Sequence, residues 1–204
     1  MMHPLTQLRF VNDELGFGVF AAAPIPKGTL VYARCALDLV FEPGDPRLQN
    51  PLYADTLEKY TYTEPGGQRV LCWDTGRYVN HCCQPSTLTT GYGFEIAIRD
   101  LAPGDEVTDD YAIFNCDVPM PLSCCEVGCR GVLIPGDFDR HVPGWDEQVR
   151  GALEHLDSVE QPLWSLVAPA TRRAVRSYLR TGRGYRSVAT QKAVRTLGVS
   201  ALAG

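Results

Sequence analysis

Long hydrophobic runs are missing from this 204-residue sequence, and no stretch reaches the roughly 18 consecutive apolar residues of a membrane-spanning helix. The first ten residues, MMHPLTQLRF, lack both the basic start and the apolar centre of an export signal. We therefore expect a cytoplasmic protein that does not bind membranes. In that reducing compartment the eight cysteines favour metal ligation or burial over disulfide bonds.

Acidic residues are missing from the last part of the chain. From residue 170 onward there are eight Lys or Arg and no Asp or Glu, which leaves 11 basic residues against all 24 acidic ones before it. The acidic body predicts attraction to a basic protein or peptide and repulsion of nucleic acid. The simpler interpretation, in which both sets of charges only solvate the surface, stays open.

Strands and turns are favoured by 15 prolines and 19 glycines that interrupt short apolar runs. Strands are predicted in LRFV, GVFAAA, TLVYA, LDLVF and GFEIAIRDL, and a short helix over residues 52–60. In the last strand Phe94 and Ile96 alternate with Glu95 and Arg99, as in a strand with one face in water. The stretches APIPKGTLV (23–31) and RDLAPGDEV (99–107) share a spacing that predicts two related strand-turn-strand elements.

Helical spacing begins only near the end of the chain. A helix is predicted over 145–156, with Asp146 and Glu147 at its start, and further helices over 170–180 and 187–197. Ser187 and Gly198 suit the two ends of the last one. We therefore predict a main domain over residues 1–134 and a helical appendage over residues 135–204.

The stretch RYVNHCCQPS (77–86) combines an Asn-His pair with two cysteines. Adjacent side chains on a strand point to opposite faces, so His81 cannot easily activate Cys82, which argues against a cysteine hydrolase. Four further cysteines lie in CDVPMPLSCCEVGCRG (116–131), and thiolates bind zinc tetrahedrally. Zinc ligation is therefore predicted, with reduced, partly buried thiols as the alternative.

Two further segments carry candidate site residues. Gly16, Phe17 and Gly18 form a Gly-x-Gly that indicates either a tight turn or a close backbone approach to a ligand. The stretch GDEVTDDY ends at Tyr111, which is half-buried by pattern and needs neighbouring groups before it can have a catalytic role.

Taken together, GFGVFAAAPIPKGTLV, RYVNHCCQPS, RDLAPGDEVTDDY and SCCEVGCRG resemble the motifs of the SET-domain family of protein lysine methyltransferases, in the family's order. The resemblance spans about residues 8–134. It implies an α+β, mainly β fold, in which a β-clip of small sheets contains a pseudoknot and a small C-terminal helical segment follows. It also implies S-adenosylmethionine as cofactor and a lysine-bearing protein or peptide as substrate.

The same resemblance assigns roles to residues. Tyr111 would be the catalytic tyrosine and would also line the cofactor site. The other cofactor-binding residues would be Gly16, Phe17, Gly18, Asn80 and His81. Zinc would be held by Cys83, Cys124 and Cys129 together with Cys116 or Cys125, within a tail over residues 116–134 that is similar to a post-SET segment.

Several positions depart from the family pattern: Cys82, Ser86, Asp109, Arg34 and Leu122. Asp109 replaces an aromatic residue that shapes the lysine channel, so the number of methyl groups transferred does not carry over. Leu122 takes the place of the first cysteine of the tail. These two departures motivate an alternative, a non-catalytic, zinc-stabilised module that binds a basic peptide or the cofactor.

Overall fold

Short strands separated by turns dominate the computed structural model, which describes residues 1–116, 118–124 and 128–193. Within those ranges the chain forms twelve strands and three α-helices. The strands are β1 (Thr6–Asn12), β2 (Gly16–Ala21), β3 (Leu30–Ala33), β4 (Leu39–Phe41), β5 (Thr61–Thr63), β6 (Arg69–Leu71), β7 (Asn80–His81), β8 (Thr87–Thr89), β9 (Phe94–Ala97), β10 (Glu106–Asp109), β11 (Met120–Pro121) and β12 (Val132–Leu133). The helices are α1 (Ala54–Tyr60), α2 (Asp137–Leu153) and α3 (Pro169–Thr181).

The strands form four small sheets with the orders β1-β2-β10-β7, β3-β9-β8, β4-β6-β5 and β11-β12. β10 is antiparallel to β2 and parallel to β7, so three segments that are distant in the chain lie side by side. The prediction of a mainly β chain of small sheets followed by a helical segment is confirmed.

The two similar stretches found in the sequence pair with each other. The Ile25 amide donates to the Leu101 carbonyl at 3.0 Å, and the Leu101 amide donates back at 2.9 Å. Gly28 and Gly104 lie at the two turns with φ of 91° and 95°, a conformation that glycine adopts without steric cost. Both stretches turn as their shared glycine predicts.

Helix α2 begins earlier than its sequence pattern indicates. It starts at Asp137, not near Trp145, and it continues through Pro143. Because Pro143 lies in the second turn, its missing N–H removes only one hydrogen bond from the helix. The Asp137 carboxylate accepts the Ile134 amide at 3.0 Å and closes the preceding turn. The predicted start was therefore wrong by about two turns.

Helix α2 packs on the sheet that contains β9. Trp145, Val149 and Leu153 belong to the same buried cluster as Phe94 and Ile96. Each such large apolar side chain contributes about 1.5–3 kcal/mol when fully buried. The core thus crosses the proposed boundary at residue 134, and the division into two domains stays a prediction.

The last predicted helix is a single 3₁₀ turn, Val188–Gln191, in the part of it that the structure describes. Ser187 caps it as expected, because its hydroxyl accepts the Ala189 amide at 3.0 Å. Gly198, the expected end, lies outside the described residues. None of the described helices combines the length and apolar character needed to cross a membrane.

Candidate functional site

The sheet β1-β2-β10-β7 brings together the three motif segments that the sequence singled out. β2 contains the Gly-x-Gly, β7 is the Asn80–His81 pair, and β10 leads directly to Tyr111. Thr108 pairs with Asn80 and Asp109 pairs with His81. The sheet therefore places Asn80, His81 and Tyr111 at one edge.

Asn80 links β7 to both neighbouring segments. Its side-chain amide donates to the Phe17 carbonyl at 3.2 Å and to the Glu106 carboxylate at 2.8 Å. A Cβ added at Gly18 would lie 2.9 Å from the Asn80 amide nitrogen, so a larger residue there would force the Asn80 side chain to shift. At Gly16, by contrast, an added Cβ would meet no atom within 4 Å. The backbone at Gly16 is therefore open to a ligand.

The Tyr111 phenol lies beside the Asn-His strand. Its hydroxyl donates to the Val79 carbonyl at 2.7 Å, one residue before Asn80. Burial, with a smaller contribution from Asp109, raises the pKa of this phenol well above its ordinary value. The hydroxyl is therefore neutral at physiological pH and acts through its dipole and hydrogen bonds.

His81 connects Tyr111 to the cysteines. Its Nδ1 accepts the Tyr111 amide at 3.1 Å, and its Nε2 lies 3.2 Å from the Cys83 sulfur. Burial lowers the pKa of His81 to about 4, although Asp110 opposes the shift. Because Nδ1 accepts, the neutral ring carries its proton on Nε2 and points it at Cys83. His81 ends β7 and Cys83 lies in the bend two residues later, so their contact is local in the chain.

A cluster of sulfurs lies next to His81. The Cys83 sulfur is 3.8 Å from that of Cys129, and the Cys83 amide is 3.4 Å from the Cys124 sulfur. Ligand atoms of His81, Cys83 and Cys124 all fall within 4.8 Å of one another. The Cys82 sulfur lies 4.0 Å from Cys124. The structure thus brings three of the predicted zinc ligands, Cys83, Cys124 and Cys129, into one place.

The fourth predicted ligand lies apart from this cluster. The Cys116 thiol donates to the Val118 carbonyl at 2.6 Å and lines a cavity beside Tyr111. Its alternative, Cys125, lies outside the described residues. His81 lies close enough to Cys83 and Cys124 to share a metal with them. Its Nε2 keeps its proton, however, because Nδ1 accepts the Tyr111 amide. His81 therefore suits an N–H···S partner of a metal-bound thiolate better than a ligand.

Asp110 joins the sheet, the tail and helix α2, contacts that the sequence did not predict. Its carboxylate caps the 3₁₀ turn at Ala112 at 3.1 Å, accepts the Trp145 indole N–H at 3.2 Å and forms a buried ion pair with Arg130. The Arg130 amide also donates to the Cys83 sulfur at 3.4 Å. Apart from the local cap at Ala112, these contacts join residues 20 to 47 positions apart, so a local sequence motif does not indicate them.

A cavity of about 190 Å³ adjoins the Tyr111 phenol. Five aromatic rings contribute to its wall, those of Tyr32, Tyr60, Tyr62, Tyr111 and Phe114. A second cavity of about 70 Å³ shares Tyr32, Tyr62 and Phe114 with the first. A slot between ring faces next to a neutral phenol suits a long aliphatic side chain with a cationic end.

Three glutamates line the two cavities, Glu58, Glu64 and Glu95, and the buried Asp109 interacts with Glu95. Glu95 lines both cavities, although the strand pattern places it on the side facing water. Asp109 is completely buried, and burial followed by the charge of Glu95 raises its pKa well above its ordinary value. The family departure at Asp109 therefore replaces an aromatic ring by a buried acid.

The other departures from the motif pattern are accommodated locally. The buried Ser86 hydroxyl accepts the Thr108 amide at 2.9 Å and so ties the motif to β10. Leu122 packs against the main hydrophobic cluster. Arg34 forms a surface ion pair with Glu64. None of these three lies among the residues that line the larger cavity.

The sequence model of the SET domain matches residues 16–112. This range contains the Gly-x-Gly, the Asn-His pair and Tyr111, which the sheet places together. Residues 16–112 are therefore a SET domain. The resemblance inferred from the motifs is confirmed for this domain.

Among curated proteins, the chain is 28% identical to the histone-lysine N-methyltransferase ash1 of Drosophila melanogaster, over 61% of this chain and 6% of that protein. It is 31% identical to the histone-lysine N-methyltransferase ATX2 of Arabidopsis thaliana, over 58% of this chain and 12% of that protein. The chain thus spans only a small part of the relatives it matches. Among solved structures, the methyltransferase domain of human histone-lysine N-methyltransferase SETMAR aligns with 66% of this chain and 59% of that one, at a TM-score of 0.45 and 19% identity.

Proposed function

We propose that this protein transfers a methyl group from S-adenosylmethionine to a lysine side chain of a protein substrate. The observation that carries the proposal is the position of the Tyr111 phenol. It hydrogen-bonds to Val79 beside the Asn-His strand and lines the aromatic cavity at the same time. The Tyr111 phenol therefore lies between the expected cofactor site, next to Asn80, and the cavity expected to hold the substrate amine.

The residues present fit the cofactor. Asn80 and Phe17 lie in hydrogen-bond contact at the edge of β2, and the backbone at Gly16 is open. We assign its binding to Gly16, Phe17, Gly18, Asn80, His81 and Tyr111. When bound, the cofactor supplies a methyl group on a positively charged sulfur.

The chain's own part in the reaction is positioning and control of protonation. A lysine amine titrates near ~10.4 in water and must be neutral to react. Loss of water on entering the cavity, together with the positive charge of the bound cofactor, would lower the pKa of the amine. The Tyr111 hydroxyl would orient the neutral amine, accept weak CH···O contacts and stabilise the positive charge that moves during transfer.

Zinc fits the sulfur cluster by the chemistry of its donors. Cys83, Cys124 and Cys129 offer soft thiolates, the ligands that zinc prefers in structural sites. Burial raises the pKa of the Cys83 thiol, whereas Arg130 next to it acts in the opposite direction. We propose a zinc ion here that holds the tail against the sheet. Of the two candidates for the fourth ligand, Cys116 would have to leave its hydrogen bond with the Val118 carbonyl, and Cys125 is the alternative.

The substrate is proposed to be a basic protein or peptide. Residues 1–169 contain 24 acidic and 11 basic side chains, so the domain that bears the cavity is strongly acidic. Opposite charge on the partner would speed its approach and raise its local concentration. The curated relatives are named for lysines of histones, which are one example of such a partner.

Transfer of a labelled methyl group tests this function. The purified protein is incubated with labelled cofactor and cell extract, and labelled proteins are identified by mass spectrometry. Tyr111→Phe should lower transfer by about 100-fold or more, because the hydroxyl acts in the transition state. Tyr53→Phe, which removes the hydroxyl of an exposed tyrosine at the start of α1, is the matched control. A fully active Tyr111→Phe variant would remove the assignment.

The alternative of a non-catalytic module rests on Asp109, the buried acid in place of an aromatic ring. Such a module would bind a basic peptide or the cofactor without consuming it. Measured binding of both, with no methyl transfer to any protein in the extract, would favour this alternative.

A further inference from the structure

Glu95 lines both cavities, the larger of which is also lined by Tyr111. Its neighbours there are aromatic: Tyr32, Tyr62 and Phe114 line both cavities with it. β9 explains the position, since Glu95 pairs with Tyr32 of β3 on one side and with Thr89 of β8 on the other. The backbone of Glu95 is thus held by strands on both sides.

Within the described part of the chain, no side chain donates a hydrogen bond to the Glu95 carboxylate or forms an ion pair with it. The cations nearest the larger cavity are engaged elsewhere. The Lys59 ammonium lies over the Tyr60 ring, and the Arg77 guanidinium lies over the Tyr78 ring. Among the described residues, the cation that interacts with Glu95 is the Met1 amino group, which donates to the Ala33 carbonyl and forms no ion pair with the carboxylate.

Asp109 is a second carboxyl that interacts with Glu95, and its strongly raised pKa shows that ionisation of both groups together is unfavourable. Asp109 is completely buried, and among the described residues it accepts the Asp110 amide at 2.6 Å and the Thr89 hydroxyl at 3.4 Å. An ionised group that loses water without gaining an opposite charge is costly. A cation that entered the cavity would relieve this cost and would also meet the faces of the surrounding rings.

We propose that Glu95 is a specificity-determining residue that selects a primary ammonium group as the occupant of this cavity. The inference rests on the proposed function in that the ammonium is the substrate lysine before it loses its proton. Each methyl group added to nitrogen removes one N–H donor to the carboxylate, so Glu95 favours the unmethylated amine over the trimethylated one.

The titration of Glu95 supports this assignment. Burial raises the pKa of its carboxyl to about 7, and the Met1 amino group opposes the shift. The other titratable groups that interact with it are Asp109, the Tyr62 phenol and the Cys72 thiol. A bound cation favours the ionised carboxylate, so binding of a cation should strengthen as pH rises through about 7.

The test uses three small probes and needs neither cofactor nor turnover. Binding of n-butylammonium, n-butyltrimethylammonium and 1-butanol to the whole protein is followed by NMR shifts of the cavity residues. We expect the wild type to bind n-butylammonium about tenfold more tightly than either of the other probes. A preference for the trimethylated probe would overturn the proposal, because the rings alone would then select the occupant.

Glu95→Gln keeps the size of the side chain and removes its charge. This variant should lose the preference for n-butylammonium, whereas Glu58→Gln should retain it. Glu58 is exposed and lines the mouth of the same cavity, so it controls for the change of net charge. Equal preferences in wild type and Glu95→Gln would overturn the proposal. If Glu95→Gln does not fold, the probe preference and its pH dependence in the wild type still decide.

A kinetic measurement separates this inference from the proposed function. With the protein substrate, Glu95→Gln should raise KM about tenfold and change kcat much less, which is the mark of a binding role. Wild-type protein that transfers no methyl group would contradict the function alone, since the probe experiment stands independently. Wild-type transfer with an unchanged KM in Glu95→Gln would contradict the inference alone.

Discussion

Asn80, His81 and Tyr111 are positioned by paired strands, whereas Cys83, Cys124 and Cys129 are brought together by contacts between side chains. The first group lies on β7 and after β10, which share a backbone ladder with β2. We call it the sheet wall. The second group, with Arg130, is held by sulfur contacts and one buried ion pair, and we call it the tail wall.

The two walls differ in the interactions that form them. Backbone ladders and the core behind them form whenever the domain folds. Thiol contacts, in contrast, depend on the ionisation and ligation of the sulfurs, and metal binding to such a group contributes directly to folding. The sheet wall should therefore be constant, and the tail wall should respond to metal and redox conditions.

The largest expected effect comes from the residue that joins the two walls. Asp110→Asn removes the charge that pairs with Arg130 and leaves a buried guanidinium without compensation. We expect a loss of about 3 kcal/mol in the free energy of unfolding, measured in urea. Asp139→Asn, which breaks the exposed pair with Lys192, should cost less than about 1 kcal/mol. Equal costs would mean that the buried pair does not join the walls.

Removal of metal should separate the walls. Cys129→Ser, or treatment of the wild type with a zinc chelator, should speed chemical labelling of the Cys83 thiol about tenfold or more. Amide exchange at Asn80 and Thr108 should stay unchanged, because their ladder does not involve sulfur. Cys35→Ser, outside the cluster, is the control. Purified protein without stoichiometric zinc would contradict the proposed metal.

A substitution in the sheet wall should weaken cofactor binding and leave the tail wall unchanged. Asn80→Ala leaves the Phe17 carbonyl and the Glu106 carboxylate without their donor, and we expect cofactor binding to weaken by about 1–2 kcal/mol. Calorimetric titration measures the affinity. Cys83 labelling should stay at the wild-type rate, and Asn50→Ala, at a surface turn, should change neither quantity. Faster Cys83 labelling in Asn80→Ala would show that the walls are coupled.

A further expected effect depends on pH and concerns Glu95 in the cavity beside Tyr111. Glu95 has a pKa of about 7 in the folded protein against 4.5 as its ordinary value. Between these values the unfolded chain loses the proton first, so this group makes stability fall as pH rises from about 4.5 to about 7. Above that window Glu95→Gln should be more stable than wild type by on the order of 2 kcal/mol, discounted for partial exposure. Below it the two should be equal.

Urea unfolding of both proteins at several pH values measures this difference. The comparison of wild type with variant removes the contribution of other groups that titrate in the same window. A difference that grows toward acid pH would show that the folded protein lowers the pKa of Glu95.

Local patterns were enough for much of the fold and for the sheet wall. Glycines and short alternating runs predicted β1 to β4 and β9, and helical spacing predicted α3. The Asn-His pair and Tyr111 were identified because their residue types and order are specific. The start of α2 was missed because Pro143 is typical of a helix break. In the structure the helix continues through Pro143, which lacks the N–H for one hydrogen bond.

Other parts of the site had no local signal. Glu95 alternates with Phe94 and Ile96, a pattern typical of a residue on the solvent-facing side of a strand. In the fold, Tyr62 of β5 lies on that side, and Glu95 lines a cavity with it. Cys116 has the spacing of a zinc ligand, yet its thiol lies beside Tyr111 and away from the sulfur cluster.

The sequence by itself determined the order of the elements, the acidic body with its basic end, and the residues that the SET-domain motifs require. These are properties of neighbouring residues, and period and residue type report them directly. The tertiary structure alone decided that Asp110 meets Arg130 and Trp145, that His81 faces Cys83 and Tyr111, and that Glu95 faces an aromatic cavity. Most of those contacts join distant segments, and their formation depends on strand register and packing of the whole chain.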